Sequence, residues 1–423
     1  MGFYEKQPII QLRRGAFAPS CYHLVIHHVI SLAITPDRTP TRKSRARRFN
    51  SSVFIFYKIH FRYYIINSEE IMEFDIFYYE NDISTIKNNP RIILSNPSVL
   101  HVLSDIINQT PNSIDINQYS NNEITNSLLM IDAIKLCNNK LSLNIPIFIE
   151  RDLPILKKYI LLASNKIYHS IMQQTDNLIK TIHQIQNGFS DQVNLYHMLC
   201  GYVFDGTIFD ELVKHNLITT HKIHPDRSDY LIIMYEKSNS LNTYSNKLLC
   251  SYNRLKTHYG VFSSFGDCDG NRNDFYRQFM LQNTHQSDKI IKYSPDELGL
   301  AFHSLILGNK ISENLISIFN QMGYTKNGII NIPVYYSDDF KVGDEISKIV
   351  IDACSQILIE CLNLLSREQN LLSIQHNVDI RDIANEIYHL IFGTVNELLV
   401  QHNIVAQPEY HPDEGRYLKS YEI

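Results

Sequence analysis

The chain contains no tryptophan, and none of its seven cysteines (Cys21, Cys137, Cys200, Cys250, Cys268, Cys354 and Cys361) forms a Cys-x-x-Cys pair. An odd, scattered set argues against a disulfide framework and for free, mostly buried thiols in a reducing compartment. Cys354 and Cys361 share one helical face, as core packing requires. A Gly-rich phosphate loop, a nucleophile elbow and a His-Glu-x-x-His pair are also missing. The commonest signatures of phosphate, acyl and zinc-hydrolytic chemistry are therefore absent. The apolar runs Cys21–Ile34 and Val53–Ile66 fall short of the roughly 20 residues that cross a bilayer, and Lys58 and Arg62 interrupt the second. The expectation is a cytoplasmic protein with no membrane partner, no metal and no cofactor, for which an enzyme is the lesser alternative.

What is present suits a globular protein. Its 423 residues are 44% hydrophobic and 20% charged, enough for a large core and two to three domains. Charge is unevenly spread. Residues 1–71 hold 11 Lys/Arg against 4 Asp/Glu, which leaves 28 basic and 40 acidic residues in 72–423. An acidic body opposes indiscriminate phosphate binding. The stretch "RTPTRKSRARR" at 38–48 suits a nucleic-acid arm, a targeting segment, or a reading frame extended upstream of a true start at Met72. The last is preferred, because "MEFDIFYYENDISTI" opens with strand-like alternation and the acidic composition of the body.

A duplication organises that body. Gly206–Leu231 and Gly393–Leu418 match at 11 of 26 positions without a gap, including His224-Pro225-Asp226 and His411-Pro412-Asp413. At the same offset, Ile124, Leu128, Ile131, Asn144-Ile145-Pro146 and Asp152 pair with Ile311, Leu315, Ile318, Asn331-Ile332-Pro333 and Asp339. The expected division is 1–71 as an atypical basic extension, 72–236 and 293–423 as the duplicated units, and 237–292 as a connecting segment.

Within the first unit, Asn122 precedes apolar residues at helical spacing over 123–136. "CNNKLSLNIPIFI" then reads as a hairpin turning at Asn138-Asn139, and helix plus short hairpin is the outline of a winged helix. Asp152 caps one long amphipathic helix of about 35 residues ending near Gly188; its counterpart runs from about Asp344 to Leu372. Such helices suit pairing within the chain or with a second copy. The fold expected is α+β and mainly helical, with two tandem winged-helix-like units.

"ELVKHNLITTHKIHPDRSDYLI" resembles the end of a MarR-type winged-helix domain: a helix, a leucine–isoleucine exit, then a wing with Asp and Arg. The resemblance covers about 20 residues per unit. It implies DNA binding and transcriptional regulation, with the wing arginine, here Arg227, entering the minor groove. The second copy has Glu414 in its place. The DNA contacts expected are Lys135, Lys140, Lys222 and Arg227. A protein-binding scaffold is the rival, and fits the acidic body.

Three further patterns concern chemistry. His-Pro-Asp is the loop signature of J-domain co-chaperones, where it joins two helices. Here strand-like "YLIIMYE" follows, so a turn is expected, with Pro225 presetting φ and Asp226 and Ser228 bonding the local backbone. The repeated histidines His197/His389, His215/His402 and His224/His411 lack the one-turn pairing of a helical metal site. Asp267, Asp269 and Asn271 have calcium-loop spacing, but Arg272 and Gln278 occupy the positions of the loop's glycine and bidentate glutamate. Asp267–Asp274 is therefore read as a structured polar loop, and as the place for an enzyme site if the chain has one.

Overall fold

The computed structural model describes residues 72–82, 89–110, 114–118, 123–224, 226–248, 250–267, 293–411 and 415–423. The readings of residues 1–71, Pro225, Pro412, Asp413 and Glu414, and of the polar loop beyond Asp267, lie outside them. The fold is α+β and mainly helical.

The first half runs β1 (Phe74–Asp82), α1 (Pro97–Asn108), β2 (Ile114–Asp115), α2 (Glu123–Met130), β3 (Ile134–Cys137), β4 (Lys140–Leu143), β5 (Ile147–Phe148), α3 (Leu153–Gln173) and α4 (Thr175–Ile182). A single rod follows: α5 (Asp191–Leu195), a π-helical stretch (Tyr196–Ile208) and α6 (Phe209–Lys214). β6 (Lys222–Ile223) and β7 (Asp229–Glu236) close this half. The second runs α7 (Asn239–Leu248), β8 (Cys250–Thr257), β9 (Gly260–Asp267), α8 (Pro295–Ile306), α9 (Glu313–Gln321), β10 (Thr325–Lys326), β11 (Ile329–Ile330), β12 (Val334–Tyr335), α10 (Ser337–Leu365), α11 (Ile380–Gln401), β13 (Tyr410–His411) and β14 (Gly415–Glu422).

Local chemistry sets these boundaries. Pro97 and Pro295 sit in the first turns of α1 and α8, where a missing N–H is harmless. Asn96 caps α1 by accepting the Ser98 N–H, and Ser294 with Glu297 forms a capping box on α8. The single 35-residue helix expected after Asp152 is two helices. Gln174 leaves the helical region at φ −108°, ψ 8°, and the Thr175 hydroxyl donates to the Met172 carbonyl at 2.9 Å, competing with the helix ladder. α10 starts seven residues earlier than expected, where Asp339 accepts the Tyr336 N–H at 2.7 Å.

Two sheets share one wiring pattern. In the first, β7 pairs antiparallel with β1 and β6 and parallel with β5; in the second, β14 pairs antiparallel with β9 and β13 and parallel with β12. β8 extends the second sheet beyond β9. Residues 237–292, expected to connect the units, thus supply a helix and two strands of the second sheet. The helix–hairpin segments also correspond differently from the sequence match. α2 ends at left-handed Asp132 (φ 54°) and α9 at Gly323 (φ 74°), and the tips Asn138–Asn139 and Asn327–Gly328 are left-handed too. The first hairpin is two residues longer on each strand. Leu128 therefore corresponds to Phe319, one helical turn beyond the matched Leu315. A four-residue slip keeps the apolar face of a helix in place, so periodicity alone does not detect it.

The halves exchange helices. α11, from the second half, lies against the first sheet: the Thr219 N–H donates to the Arg381 carbonyl at 3.0 Å, and Tyr79 and Tyr235 both donate to Glu386. The π-helical stretch, from the first half, lies against the second sheet: the Tyr196 and Phe265 rings are 5.1 Å apart, and Tyr335 donates to Asn194 at 2.9 Å. Between them, α3 packs on α10 and α11, and α10 packs on the π-helical stretch. One continuous apolar core spans both halves, while a smaller one, centred on Phe262, Phe302, Phe319 and Tyr324, supports the second helix–hairpin. Among the described residues, no helix is long and apolar enough to cross a membrane.

Candidate functional site

Each half carries a helix followed by a short hairpin, α2 with β3–β4 and α9 with β10–β11. α2 ("EITNSLLM") and α9 ("ENLISIFNQ") each begin with an exposed glutamate and contain no lysine or arginine. At the first hairpin, Lys140 is exposed just after the Asn138–Asn139 tip. At the second, Ile329 occupies the place after Asn327–Gly328 and is 73% exposed.

The four cations expected to contact DNA have different surroundings. Lys135 Nζ donates to the Asn377 carbonyl at 2.6 Å, and burial pulls its ammonium below the usual lysine range. Lys222 is ion-paired with Asp382, a fully buried carboxylate of α11. Lys140 and Arg227 are exposed. Arg227 sits in the left-handed region (φ 69°), its N–H closing the turn onto the His224 carbonyl at 2.8 Å.

That turn joins β6 to β7, the central strand of the first sheet. β6 and β7 pair within the first sheet, while β3–β4 belongs to a separate sheet with β2. His224 is only 5% exposed and stacks on Tyr230 with ring centroids 3.7 Å apart. Its Nδ1 faces Asp132 Oδ2 and its Nε2 faces the Tyr230 carbonyl, each at 3.1 Å. Asp226 accepts from the Ser228 N–H and hydroxyl, as the turn chemistry predicts. His411 ends β13, paired with Gly415.

A buried polar seam runs along α11. Asp382, Asn385, Glu386 and His389 are all buried on α11. Glu386 accepts from Tyr79 at 3.0 Å and from Tyr235 at 2.8 Å. His389 Nδ1 donates to the Asn385 carbonyl at 2.7 Å, while its Nε2 is 3.9 Å from Asp205 on the first half's rod. Burial raises the Asp382 carboxyl above its ordinary range, against the opposing pull of Lys222. The seam was legible as "DIANEIYH", polar at i, i+3, i+4 and i+7, but on an amphipathic helix such a stripe reads as the solvated face.

The other histidines stay apart. His197 is buried between Tyr196 and Tyr335, and neither ring nitrogen has a hydrogen-bond partner among the described residues. Burial drives its ring down to about 3, so it stays neutral. His215 lies at the end of α6 beside Glu211. Among the described residues, no three His, Cys, Asp or Glu side chains group as a metal site. Burial pushes the Cys354 and Cys361 thiols up to about 12 and the Cys200 thiol higher, which suppresses the thiolate needed for nucleophilic work. No protein-family model, curated protein or solved structure matches the chain.

Proposed function

We propose that the chain is a non-catalytic binding scaffold: two winged-helix-like units, related by duplication and interlocked through exchanged helices, that present their helix–hairpin edges to a protein partner. One observation carries this reading. The helices in the position of a DNA reader begin with Glu123 and Glu313 and hold no cation, and the second hairpin tip ends in exposed Ile329. Carboxylates at these helix starts repel a phosphate backbone, whereas exposed apolar side chains such as Ile329, Ile223 and Met130 suit a protein interface.

A second reading, DNA binding in transcriptional regulation, draws on Lys140 and Arg227, the two exposed cations of the expected set. Titrating the full chain against a fluorescent random duplex at low and at physiological salt separates the two. The scaffold reading expects no salt-dependent binding. Binding that weakens steeply with salt, and is lost in a Lys140→Glu/Arg227→Glu variant, would establish the DNA reading instead.

A further inference from the structure

The His-Pro-Asp turn of the first half joins two parts of the molecule through one ring. On one side, β6 and β7 belong to the first sheet. On the other, Asp132 is the left-handed residue between α2 and β3, and its carbonyl accepts from Asn144 Nδ2 at 3.1 Å. His224 lies between them, its main chain fixed by the bond from its N–H to the Ser228 carbonyl at 2.8 Å. Both ring nitrogens face groups that accept: a carboxylate oxygen at Nδ1 and a main-chain carbonyl at Nε2, each at 3.1 Å. Neither can donate, so both hydrogen bonds form together only when the imidazole carries two protons.

We infer that His224 is a proton-operated latch on the first helix–hairpin. With two protons it bonds Asp132 and Tyr230 at once and holds the base of β3–β4 against the sheet. When one proton leaves, a ring lone pair faces an acceptor, one bond is lost, and the hairpin base loosens. Because both bonds need the doubly protonated ring, the latch opens as pH rises. The charged groups around it come from every neighbouring element. Asp132 follows α2; Asp226 and Arg227 lie in the turn; Lys222 on β6 pairs with Asp382 of α11; Asp229 on β7 pairs with His221; and Lys135 on β3 is held by the Asn377 carbonyl. The second helix–hairpin is the control, because its left-handed residue after the helix is Gly323, which has no carboxylate.

Hydrogen exchange of the full chain at about pH 6 and about pH 8, corrected for intrinsic rates, tests the latch. Protection in 131–144 and 222–231 is expected to fall roughly tenfold at the higher pH, the equivalent of one lost hydrogen bond, with no matching loss in 323–332. In Asp132→Asn the neutral ring satisfies both partners: Nε2 donates to the Tyr230 carbonyl, and Nδ1 accepts from the introduced side-chain amide. That variant should keep its protection at both pH values. Equal protection in the wild type at both pH values, or wild-type pH dependence in Asp132→Asn, overturns the inference.

Discussion

At the residue scale, the charges bearing most on the fold are buried. Lys222 neutralises Asp382 inside the seam. Lys222→Met leaves that carboxylate unpaired and should lower stability by about 3 kcal/mol in urea titrations; a lysine acting only on DNA would leave stability unchanged. Glu386→Ala removes the shared acceptor of the Tyr79 and Tyr235 hydroxyls and should lower stability by about 2 kcal/mol. Asp152 gives a pH signature of unusual sign. Burial raises its carboxyl from 3.8 to about 6, outweighing the N–H bonds it accepts from Ile149 and Leu372. A group with a raised folded value contributes stability at low pH and loses it as pH rises. Its contribution should therefore decline between about pH 4 and pH 6, and Asp152→Asn should flatten stability over that window. His197 acts oppositely: its neutral ring is favoured in the fold, so its contribution falls as pH drops below 6.5. Replacing it with leucine should remove that acid sensitivity.

At the element scale, the sequence foretold much of the first half. Its hairpin at Asn138–Asn139 and the strands around His-Pro-Asp stand where the spacing put them, but the helix expected over 123–136 stops at Met130, and Ile134–Cys137 is the first strand of the hairpin. Three features escaped it, for different reasons. The one-turn slip between α2 and α9 preserves the apolar face, so only left-handed Asp132 and Gly323 reveal it. The break at Gln174 depends on one threonine hydroxyl, too local for periodicity. The π-helical winding of Tyr196–Ile208 leaves no composition signal and is fixed by packing. That packing is close: a Cβ on Gly343 of α10 would lie 2.6 Å from the Tyr202 ring, whose hydroxyl donates to Asp344 at 2.8 Å. Gly343→Val should push α10 off the rod and lower stability by about 2 kcal/mol, seen as a lower urea midpoint.

At the scale of the whole molecule, the seam escaped the sequence because its meaning lies in the helix exchange. Asp382, Glu386 and His389 are buried only because α11 leaves its own half and lies on β1 and β7. The same exchange makes the molecule one body: each sheet is covered by the other half's helix, and one core runs through both. Native-state hydrogen exchange across a urea series tests this most directly, comparing 231–236 in β7 with 417–422 in β14. If the halves are interlocked, both strands lose protection together, with one midpoint and one slope. Two separate midpoints, with one strand opening while the other stays protected, would contradict the account.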